Sequence, residues 1–397
     1  MFDVLIIGGG MIGSAALRHL SGAGVKVGLI GPDEPDDWVH HEGVFASHYD
    51  QGRITRALDK DEVWGRLAQR SMARYGHLEA ASGIRFHVPC GFLHVGPPPS
   101  SEDDKLARAK AVGRRLGIRF DRLDEAGLQH RFPYLRFPPG YVGLYEQDGA
   151  GYINPRALVR AQRAVARKQK AVLLGDTARS ARRVRGLFEV RTRGGATYQS
   201  HKLLVATGAF TNHFDLLERT LDLDVKAETV WLARVSPTEA ERLRGMPSIW
   251  YDFAWHPSFP YAYMLPPIRY PDGHHYAKIG VDRDPDAEKV SLEEITRFFH
   301  SGGHAQRGDE LRDLLQTILP EVRLDEGRPK PCVLAYTPHG RPMVDAIGEA
   351  GVFVAVGGCG GAAKSSDEIG RMAALLVEHD AWTHDLDASL FRACFVE

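Results

Sequence analysis

FDVLIIGGGMIGSAALRHLSGAGVKVGLI, residues 2–30, decides the fold of this chain. Its first part, Phe2 to Ile7, is a short apolar and β-branched run that is typical of a buried parallel strand. After a run of glycines, Ser14 to Leu20 is predicted to form a helix, and Val25 to Ile30 is predicted to form a second strand. A strand, a glycine turn, a helix and a strand in this order predict a βαβ unit and an α/β fold.

The glycine turn matches the pattern G-x-G-x-x-G directly after the first strand. In that context Gly8 permits the tight turn, Gly10 lets the backbone approach a pyrophosphate, and Gly13 lets helix and strand pack closely. The alternative is a glycine-rich turn that binds nothing. Strand and helix stand on both sides of the turn, so the pattern predicts a dinucleotide site.

One element of the dinucleotide pattern is missing from the end of the second strand. An acidic residue usually binds the ribose there, and this chain has Gly31. Our hypothesis is that Asp33 or Glu34, in the following loop, takes that role.

Two later segments favour FAD over NAD as the dinucleotide. Leu203 to Ala209 is predicted to be a strand that runs into a small-residue turn containing Gly208. Val352 to Val356 is predicted to be another, running into the turn GGCGGAAKSS and a helix. Glycine turns after several strands of one sheet suit a cofactor that extends across the sheet, as FAD does.

Length and composition exclude several classes of protein. The chain has 397 residues, which suits two domains, and its net charge of -1 gives no field for nucleic acid or an anionic membrane. The cysteines are widely spaced, so we expect no disulfide framework and no metal site. No apolar run is long enough to span a bilayer, and the start lacks a basic segment, so we expect a cytoplasmic protein.

Four further segments carry a family resemblance. They are SHYDQGRITR (47–56), YAKIG (276–280), the run from Cys332 to Asp345, and GGCGGAAKSS (357–366). With the glycine turn they resemble the D-amino-acid-oxidase superfamily of flavoproteins, in particular its branch of monomeric sarcosine oxidase and N-methyltryptophan oxidase. The resemblance runs discontinuously over nearly the whole chain.

The first of these segments resembles the stretch S-H-H-G-D-T-R-I-I-R of that branch. The resemblance implies that Ser47 and His48 belong to the cofactor site and that Arg53 contacts the flavin. It also implies that Arg56 binds the substrate carboxylate, a role that suits the bidentate guanidinium. A surface ion pair is the alternative for Arg56.

The second segment resembles the strand G-L-K-x-G of the branch. The resemblance implies that Lys278 lies over the flavin and activates dioxygen. A buried ammonium there would lower the barrier to oxygen reduction by a preorganised positive charge, whereas a solvated edge lysine is the alternative. The family often has a substrate-side histidine four residues later, where this chain has Asp282. Tyr263 falls near a family tyrosine of the substrate site.

The third segment concerns a thiol. In the sarcosine oxidase branch, a cysteine thirteen residues before an aspartate is bonded to the flavin 8α-methyl group, and Cys332 and Asp345 have that spacing. Attack by a thiol requires a thiolate in a positive setting, and Lys330 is expected on the same face of the strand. Without the family, a small buried packing residue is the usual role of a free cysteine.

The fourth segment resembles the stretch G-F-S-G-H-G-F-K-F-S of the branch. The resemblance implies a flavin-binding turn with Gly358, Gly360 and Gly361, and a substrate-binding role for Lys364. A capping box between Ser365 and Glu368 is predicted to begin the following helix. The positive end of that helix could face the flavin pyrimidine ring.

The expected architecture is a Rossmann-like FAD-binding domain with a second, mixed-sheet substrate domain above the flavin. Residues 1–84, 145–218 and 331–397 are assigned to the FAD-binding domain, and residues 85–144 and 219–330 to the substrate domain. The segment Pro155 to Lys168 is predicted to be an amphipathic helix.

The expected function is oxidation of the C–N bond of an amino acid, with a secondary (N-methyl or cyclic) amino acid as the expected substrate, dioxygen as acceptor and hydrogen peroxide as product. FAD is the expected cofactor, attached covalently if Cys332 bonds it, and a monomer or homodimer is expected. Three alternatives remain: a dehydrogenase with another acceptor, a 2-hydroxy-acid oxidase, and an FAD-bound subunit of a hetero-oligomer.

Overall fold

The computed structural model describes residues 1–102, 104–256, 259–281, 291–324 and 326–397. Two large sheets dominate it. The first sheet has the strand order β10-β11-β12-β1-β2-β9, and β19, which pairs with β18, joins it beside β12. Its strands are β1 (Phe2–Ile7), β2 (Val27–Ile30), β9 (Val172–Leu174), β10 (Ala178–Val184), β11 (Leu187–Thr192), β12 (Thr197–Val205), β18 (Met343–Ala346) and β19 (Val352–Val356).

The second sheet has the order β17-β13-β16-β15-β14-β5-β7-β6. It is mixed, because β14 runs parallel to β5 and the other neighbours pair antiparallel. Its strands are β5 (Phe92–Gly96), β6 (Asp121–Leu123), β7 (Val142–Glu146), β13 (Asp224–Val235), β14 (Ser248–Asp252), β15 (Tyr261–Arg269), β16 (His275–Gly280) and β17 (Gly327–Tyr336). A third, small sheet joins β3 (Arg53–Thr55), β8 (Gly151–Ile153) and β4 (His87–Val88).

Helices pack against the first sheet and form many of the connections between strands. They are α1 (Met11–Gly22), α2 (Glu62–Ser82), α3 (Lys105–Arg115), α4 (Glu125–Arg131), α5 (Pro155–Lys168), α6 (Pro237–Arg242), α7 (Leu292–Ser301), α8 (Ala305–Ile318) and α9 (Ala362–His379), with 3-10 turns at Gly208–His213 and Ala388–Phe391. The predicted bounds of α5 are confirmed. The side chain of Asn154 caps it, and Pro155 stands in its first turn.

The βαβ unit at the start of the chain is confirmed. Strand β1 pairs parallel with both β2 and β12, so it lies in the middle of the sheet. Gly8 has φ +113°, a conformation that other residues avoid. A Cβ on Gly13 would overlap the carbonyl oxygen of Gly8. The glycines therefore permit the turn and the close approach of α1 that the sequence predicts.

The capping box predicted for α9 is wrong. The helix begins at Ala362 with Gly361 as its N-cap, so Ser365 lies inside it with its hydroxyl buried. The Glu368 carboxylate instead bonds Arg74 and His384. Tertiary packing explains the longer helix, because small residues at its start allow close contact with the Trp64 ring. A Cβ added to Gly361 would lie only 3.2 Å from the nearest atom of that ring.

Two of the expected domain boundaries fall inside strands of the second sheet, and the one at residue 145 cuts β7. Strands of the first sheet come from residues 2–30, 172–205 and 343–356. The expected boundary at residue 331 falls inside β17, which pairs with β13 in the second sheet. Cys332 therefore lies on the second sheet. The division into an FAD-binding and a substrate domain stays our proposal.

Candidate active site

A first cavity, here named the strand-end cavity, lies where the central strands of the first sheet end. The turn after β1, Gly31 after β2, Ala206–Phe210 after β12 and the turn after β19 line it. Parallel strands place their carboxyl ends at one edge, which is where α/β sheets bind ligands. The expected cofactor residues Gly8, Gly10, Ser47, His48, Arg53, Gly208, Gly358 and Gly360 all line this cavity.

A second cavity, here named the inter-sheet cavity, adjoins the first. Residues that line both are Arg53, Leu334, Cys359, Gly360 and Ala363. Its walls come from the second sheet, the segment after β3 and the start of α9. Among the expected residues, Arg56, Tyr263, Cys332, Gly361 and Lys364 line it.

The strand-end cavity fits a dinucleotide. Helix α1 begins at the glycine turn without a side-chain cap or an acidic residue in its first turn, so its N–H groups are suited to a phosphate. A Cβ on Gly10 would meet nothing nearer than the His48 Nδ1 atom, at 4.0 Å. That nitrogen is buried and has no partner within the described residues. Burial, with the charges of nearby arginines, lowers the pKa of His48 to about 3, so the ring is neutral.

The structure does not bring Asp33 to the cavity lining. Its carboxylate lies 2.9 Å from Arg163 and is largely exposed. Arg163 also donates to the Gly9 carbonyl oxygen at 2.7 Å, so Asp33 braces the glycine turn from outside. A Cβ at Gly31 would lie 2.5 Å from the Gly9 nitrogen, which explains why no acidic residue stands there. A ribose contact by Asp33 stays a hypothesis.

Cys332 lies beside a cation at the junction of the cavities. Its sulfur is 3.6 Å from an Arg53 guanidinium nitrogen. Lys330, the positive neighbour expected from the sequence, donates to the Tyr49 carbonyl oxygen at 2.8 Å, lies over the Trp38 ring and is close enough for the charge of Cys332 to act on it. The electropositive setting that a thiolate requires is therefore supplied by Lys330 together with Arg53, which comes from a distant part of the sequence.

Lys278 is buried as expected, but it does not line either cavity in the described part of the chain. Its ammonium donates to the Asp50 carboxylate at 2.7 Å and to the Gly52 carbonyl oxygen at 3.1 Å. Arg53 and the Tyr270 hydroxyl bind the same carboxylate. Burial lowers the pKa of Lys278 to about 8, although Asp50 opposes that effect.

Asp50 is the anion at the centre of this buried group. Burial alone would raise the pKa of its carboxyl, but the charges of Lys278 and Arg53 hold it well below its usual value. The reciprocal effect raises the pKa of Arg53. Sequence reasoning missed Asp50, because nothing local distinguishes it from a loop aspartate.

Arg56 and Lys364 meet at one wall of the inter-sheet cavity, and a carboxylate of the chain already lies between them. Asp59 accepts from Arg56 at 2.8 Å and lies 3.1 Å from the Lys364 ammonium. Burial lowers the pKa of Lys364, and Asp59 partly offsets it. The backbone between Arg56 and Asp59 is held by the buried Glu146 carboxylate, which accepts from two successive N–H groups. Arg56 and Lys364 thus supply two cations and Asp59 one anion, and the charges of both cations also act on Glu146.

Aromatic rings line the wall next to this group. The Trp250 and Tyr261 rings stack at 4.8 Å, and the Arg56 guanidinium lies 5.7 Å from the Trp250 ring. The ring of Tyr263 lines the cavity and lies 5.6 Å from the Lys278 ammonium. Asp282, which the sequence places on the substrate side, lies outside the described residues.

A buried pair of side chains in the inter-sheet cavity has no counterpart in the sequence predictions. His94 lines the cavity, and its Nε2 atom is 2.7 Å from the Asp252 carboxylate. Burial would raise the pKa of Asp252, but the hydrogen bond with His94 and the charge of Lys105 lower it to about 2. No motif marks either residue, so the pair is visible only in the fold.

Comparison with known proteins identifies the family. Residues 3–376 match the profile of the family described as "DAO: FAD dependent oxidoreductase". The chain belongs to this family. It is therefore an FAD-dependent oxidoreductase, and the strand-end cavity is the part of the structure that fits FAD.

Two curated relatives are N-methyl-L-tryptophan oxidases. The one from Salmonella arizonae (strain ATCC BAA-731 / CDC346-86 / RSK2980) is 32% identical over 154 residues, a match that covers 38% of this chain and only 39% of that protein. The one from Yersinia pestis (strain Pestoides F) is 23% identical over 403 residues, covering 98% of each chain.

A solved structure with the same fold is NikD, described as an unusual amino acid oxidase essential for nikkomycin biosynthesis. Its open form has a TM-score of 0.76 and 20% sequence identity, covering 100% of this chain and 98% of that one. At this identity the likeness establishes the fold of the DAO oxidoreductase, and the substrate has to be argued from the site.

The residues of the FAD oxidoreductase have separable tasks. The α1 N-terminus and His48 would hold the diphosphate side of FAD, and Arg53 and the start of α9 would surround its ring at the junction of the cavities. Bound there, FAD supplies a two-electron acceptor for a carbon beside a heteroatom.

Within the described residues no helix is long and apolar enough to cross a membrane, and no group of side chains is placed to hold a metal.

Proposed function

We propose that this oxidoreductase oxidises the C–N bond of an amino acid to an imine, with secondary (N-methyl or cyclic) amino acids as its preferred substrates. The observation that supports this is the group of Arg56, Lys364 and Asp59 beside the junction of the two cavities. Its two cations line the cavity and can bind a carboxylate in addition to that of Asp59. The N-methyl-L-tryptophan oxidases among the relatives support the same substrate class.

The carboxylate would be held against Arg56 and Lys364, in the roles that the family resemblance implies. Arg56 offers a planar pair of donors and Lys364 a point charge. Both side chains are already ordered by Asp59, so little conformational freedom is lost on binding. Held there, the substrate has its amine and α-carbon directed into the inter-sheet cavity, next to the junction.

The wall of stacked rings would receive the side chain of the substrate. Trp250 and Tyr261 both line the inter-sheet cavity, and aromatic ligands bind well beside such rings. This supports a bulky or aromatic N-substituted amino acid over sarcosine, and it is the reason that N-methyl-L-tryptophan is the first compound to test.

The proposed electron acceptor is dioxygen, with Lys278 as the promoting cation and hydrogen peroxide as product. One observation favours a second candidate, a dehydrogenase with another acceptor. Asp50 screens the charge of Lys278 and draws its ammonium away from the cavities. Peroxide formed per substrate consumed, measured under air with and without a quinone, separates the two candidates.

Three compounds that share an indole ring test the substrate class. N-methyl-L-tryptophan has both carboxylate and amine, N-methyltryptamine lacks the carboxylate, and indole-3-lactate carries a hydroxyl in place of the amine. Anaerobic loss of the flavin absorbance should be fast with the first compound alone. Fast loss with indole-3-lactate would instead support a 2-hydroxy-acid oxidase, and turnover by the purified single chain would exclude a subunit role.

The Arg56→Gln variant tests the carboxylate site itself. We expect its KM for N-methyl-L-tryptophan to rise about 100-fold, because a charge-assisted contact is lost. The matched control is Arg66→Gln, since Arg66 pairs with Glu62 on α2 and lines neither cavity. An unchanged KM in Arg56→Gln would place the substrate carboxylate elsewhere.

A further inference from the structure

A histidine and an aspartate on adjacent strands of the second sheet form a preorganised pair in the inter-sheet cavity. His94 is on β5 and Asp252 on β14, and both side chains are almost fully buried. The parallel register sets His94 opposite Trp250, two residues before Asp252. The imidazole Nε2 atom is 2.7 Å from the Asp252 Oδ2 atom.

The carboxylate of this pair is fixed from its other side. The Lys105 ammonium, at 3.2 Å, and the Trp250 indole N–H, at 3.1 Å, both donate to Oδ1 of Asp252. Oδ2 is thereby left for His94. An ionised carboxylate only accepts hydrogen bonds, so the shared proton belongs to Nε2, and a neutral imidazole then has its lone pair on Nδ1. A base oriented by a third group is a recurrent catalytic arrangement.

The position of His94 brings it close to the proposed carboxylate site. Its ring is 6.5 Å from that of Phe92, its neighbour on the same face of β5. The Arg56 guanidinium lies 4.8 Å from the Phe92 ring. Arg56 and His94 both line the inter-sheet cavity, so an amino acid held at Arg56 with its nitrogen on the His94 side would direct its amine toward the imidazole.

Amine oxidation requires a free lone pair on nitrogen, whereas an amino acid in neutral water is an ammonium ion. We propose that His94, oriented by Asp252, is the base that accepts this proton. The inference rests on the proposed function. An N–H bond of the substrate breaks, its electron pair stays on nitrogen, and the proton bonds to Nδ1 of His94. Asp252 stays ionised and stabilises the imidazolium, which returns the proton to water when the product leaves.

Several other charged groups lie near the same imidazole. Asp252 of β14 bonds it directly, and Lys105 of α3 bonds Asp252. The other charged or titratable groups that line the cavity with it are Arg53, Arg56, Asp59, Lys60, Glu228, Tyr261, Tyr263, Cys332, Cys359 and Lys364. A pH effect is therefore assigned to His94 only if it disappears with the histidine.

The pH profile of kcat/KM for N-methyl-L-tryptophan is the first test. We expect His94→Gln to lower kcat/KM about 100-fold or more at pH 7, because a general base usually contributes a rate factor of at least that size. The loss of kcat/KM should become smaller as the pH approaches the pKa of the substrate amine, because the neutral amine is then present in solution and binds directly. Asp252→Asn should show the same recovery at high pH, with a smaller loss.

A proton count gives a second readout that does not depend on turnover. Dithionite-reduced FAD-loaded protein cannot oxidise the amine, so binding of N-methyl-L-tryptophan can be followed by calorimetry in phosphate and in Tris. For wild type, about zero protons should be released at pH 7, since His94 retains the proton. For His94→Gln, about one should be released per ligand bound.

The matched control is His87→Gln, because His87 is half-buried, hydrogen-bonds the Gly149 carbonyl oxygen and lines neither cavity. It should behave as wild type in both tests. FAD content and the unfolding midpoint of each variant show that it has folded.

A uniform loss of activity without recovery at high pH, or an unchanged proton count, overturns the role of His94 and leaves the proposed function standing. If no amino acid reduces the wild-type flavin, both fall together.

Discussion

The ammonium of Lys278 lies 2.7 Å from the carboxylate of Asp50, and each side chain is 1% exposed. The pair is thus fully removed from water. The fold brings it together across 228 residues of sequence. Buried ion pairs contribute little net stability, but removal of one partner leaves an uncompensated charge. The first two predictions follow from this asymmetry.

Asp50→Asn should destabilise the protein by about 3–5 kcal/mol, since the buried charges of Lys278 and Arg53 then lack their anion. The measurement is the free energy of unfolding in urea. The double variant Asp50→Asn/Lys278→Met should be more stable than Asp50→Asn alone. If it were less stable, the unpaired charge of Lys278 would not be the cause of the loss. The pKa of Asp50 is depressed in the folded protein, so its contribution is present above about pH 4 and is lost as the pH falls below that value.

The rate of reoxidation of the reduced flavin by dioxygen should fall as the pH rises through about 8, where Lys278 loses its proton. The charge is present below that pH and absent above it. Stopped-flow reoxidation of the photoreduced protein measures the rate. Lys278→Met should be slow at every pH, without this step.

The control for that experiment is Lys330→Met. The pKa of Lys330 is also lowered to about 8, mainly by burial, and it belongs to the same group of charges. It should keep the pH step. If the step disappeared with Lys330 and persisted without Lys278, the promoting role would have been assigned to the wrong lysine.

Cys332 should hold the flavin covalently, because its sulfur lines the cavity next to Arg53. Acid precipitation should leave the yellow colour in the pellet of wild type and release it from Cys332→Ala. Cys359→Ala is the matched control, since Cys359 lines both cavities and hydrogen-bonds Thr337, and it should retain the colour. Release of the colour from wild type would show a noncovalent cofactor.

Two glycines in helices should respond in opposite ways to substitution by alanine. At Gly13 a Cβ would overlap the Gly8 carbonyl oxygen, so Gly13→Ala should weaken FAD retention and lower the unfolding midpoint. At Gly76, inside α2, a Cβ would meet nothing within 4 Å. Gly76→Ala should therefore stabilise the protein by about 0.5–1 kcal/mol through helix propensity. Equal effects of the two would contradict the close packing of α1 on the turn.

Local patterns in the sequence were enough for much of the fold. The βαβ unit, the bounds of α5 and the strand Val352–Val356 could be predicted, because each depends on residues that are neighbours in the chain. The start of α9 could not. A capping box at Ser365 is a favourable local arrangement, but packing of the preceding small residues against Trp64 extends the helix past it.

By itself, the sequence determined that a glycine turn follows a buried strand, and with it the βαβ unit and the predicted place of the dinucleotide. Only the tertiary structure decided which charges share the site. Asp50 reaches Lys278 and His94 reaches Asp252 across 228 and 158 residues. Lys364 reaches Asp59 in the same way, whereas Arg56 and Asp59 are only three residues apart. The physical reason is that periodicity and turn chemistry act over a few residues, whereas an ion pair depends on the distance between atoms in space.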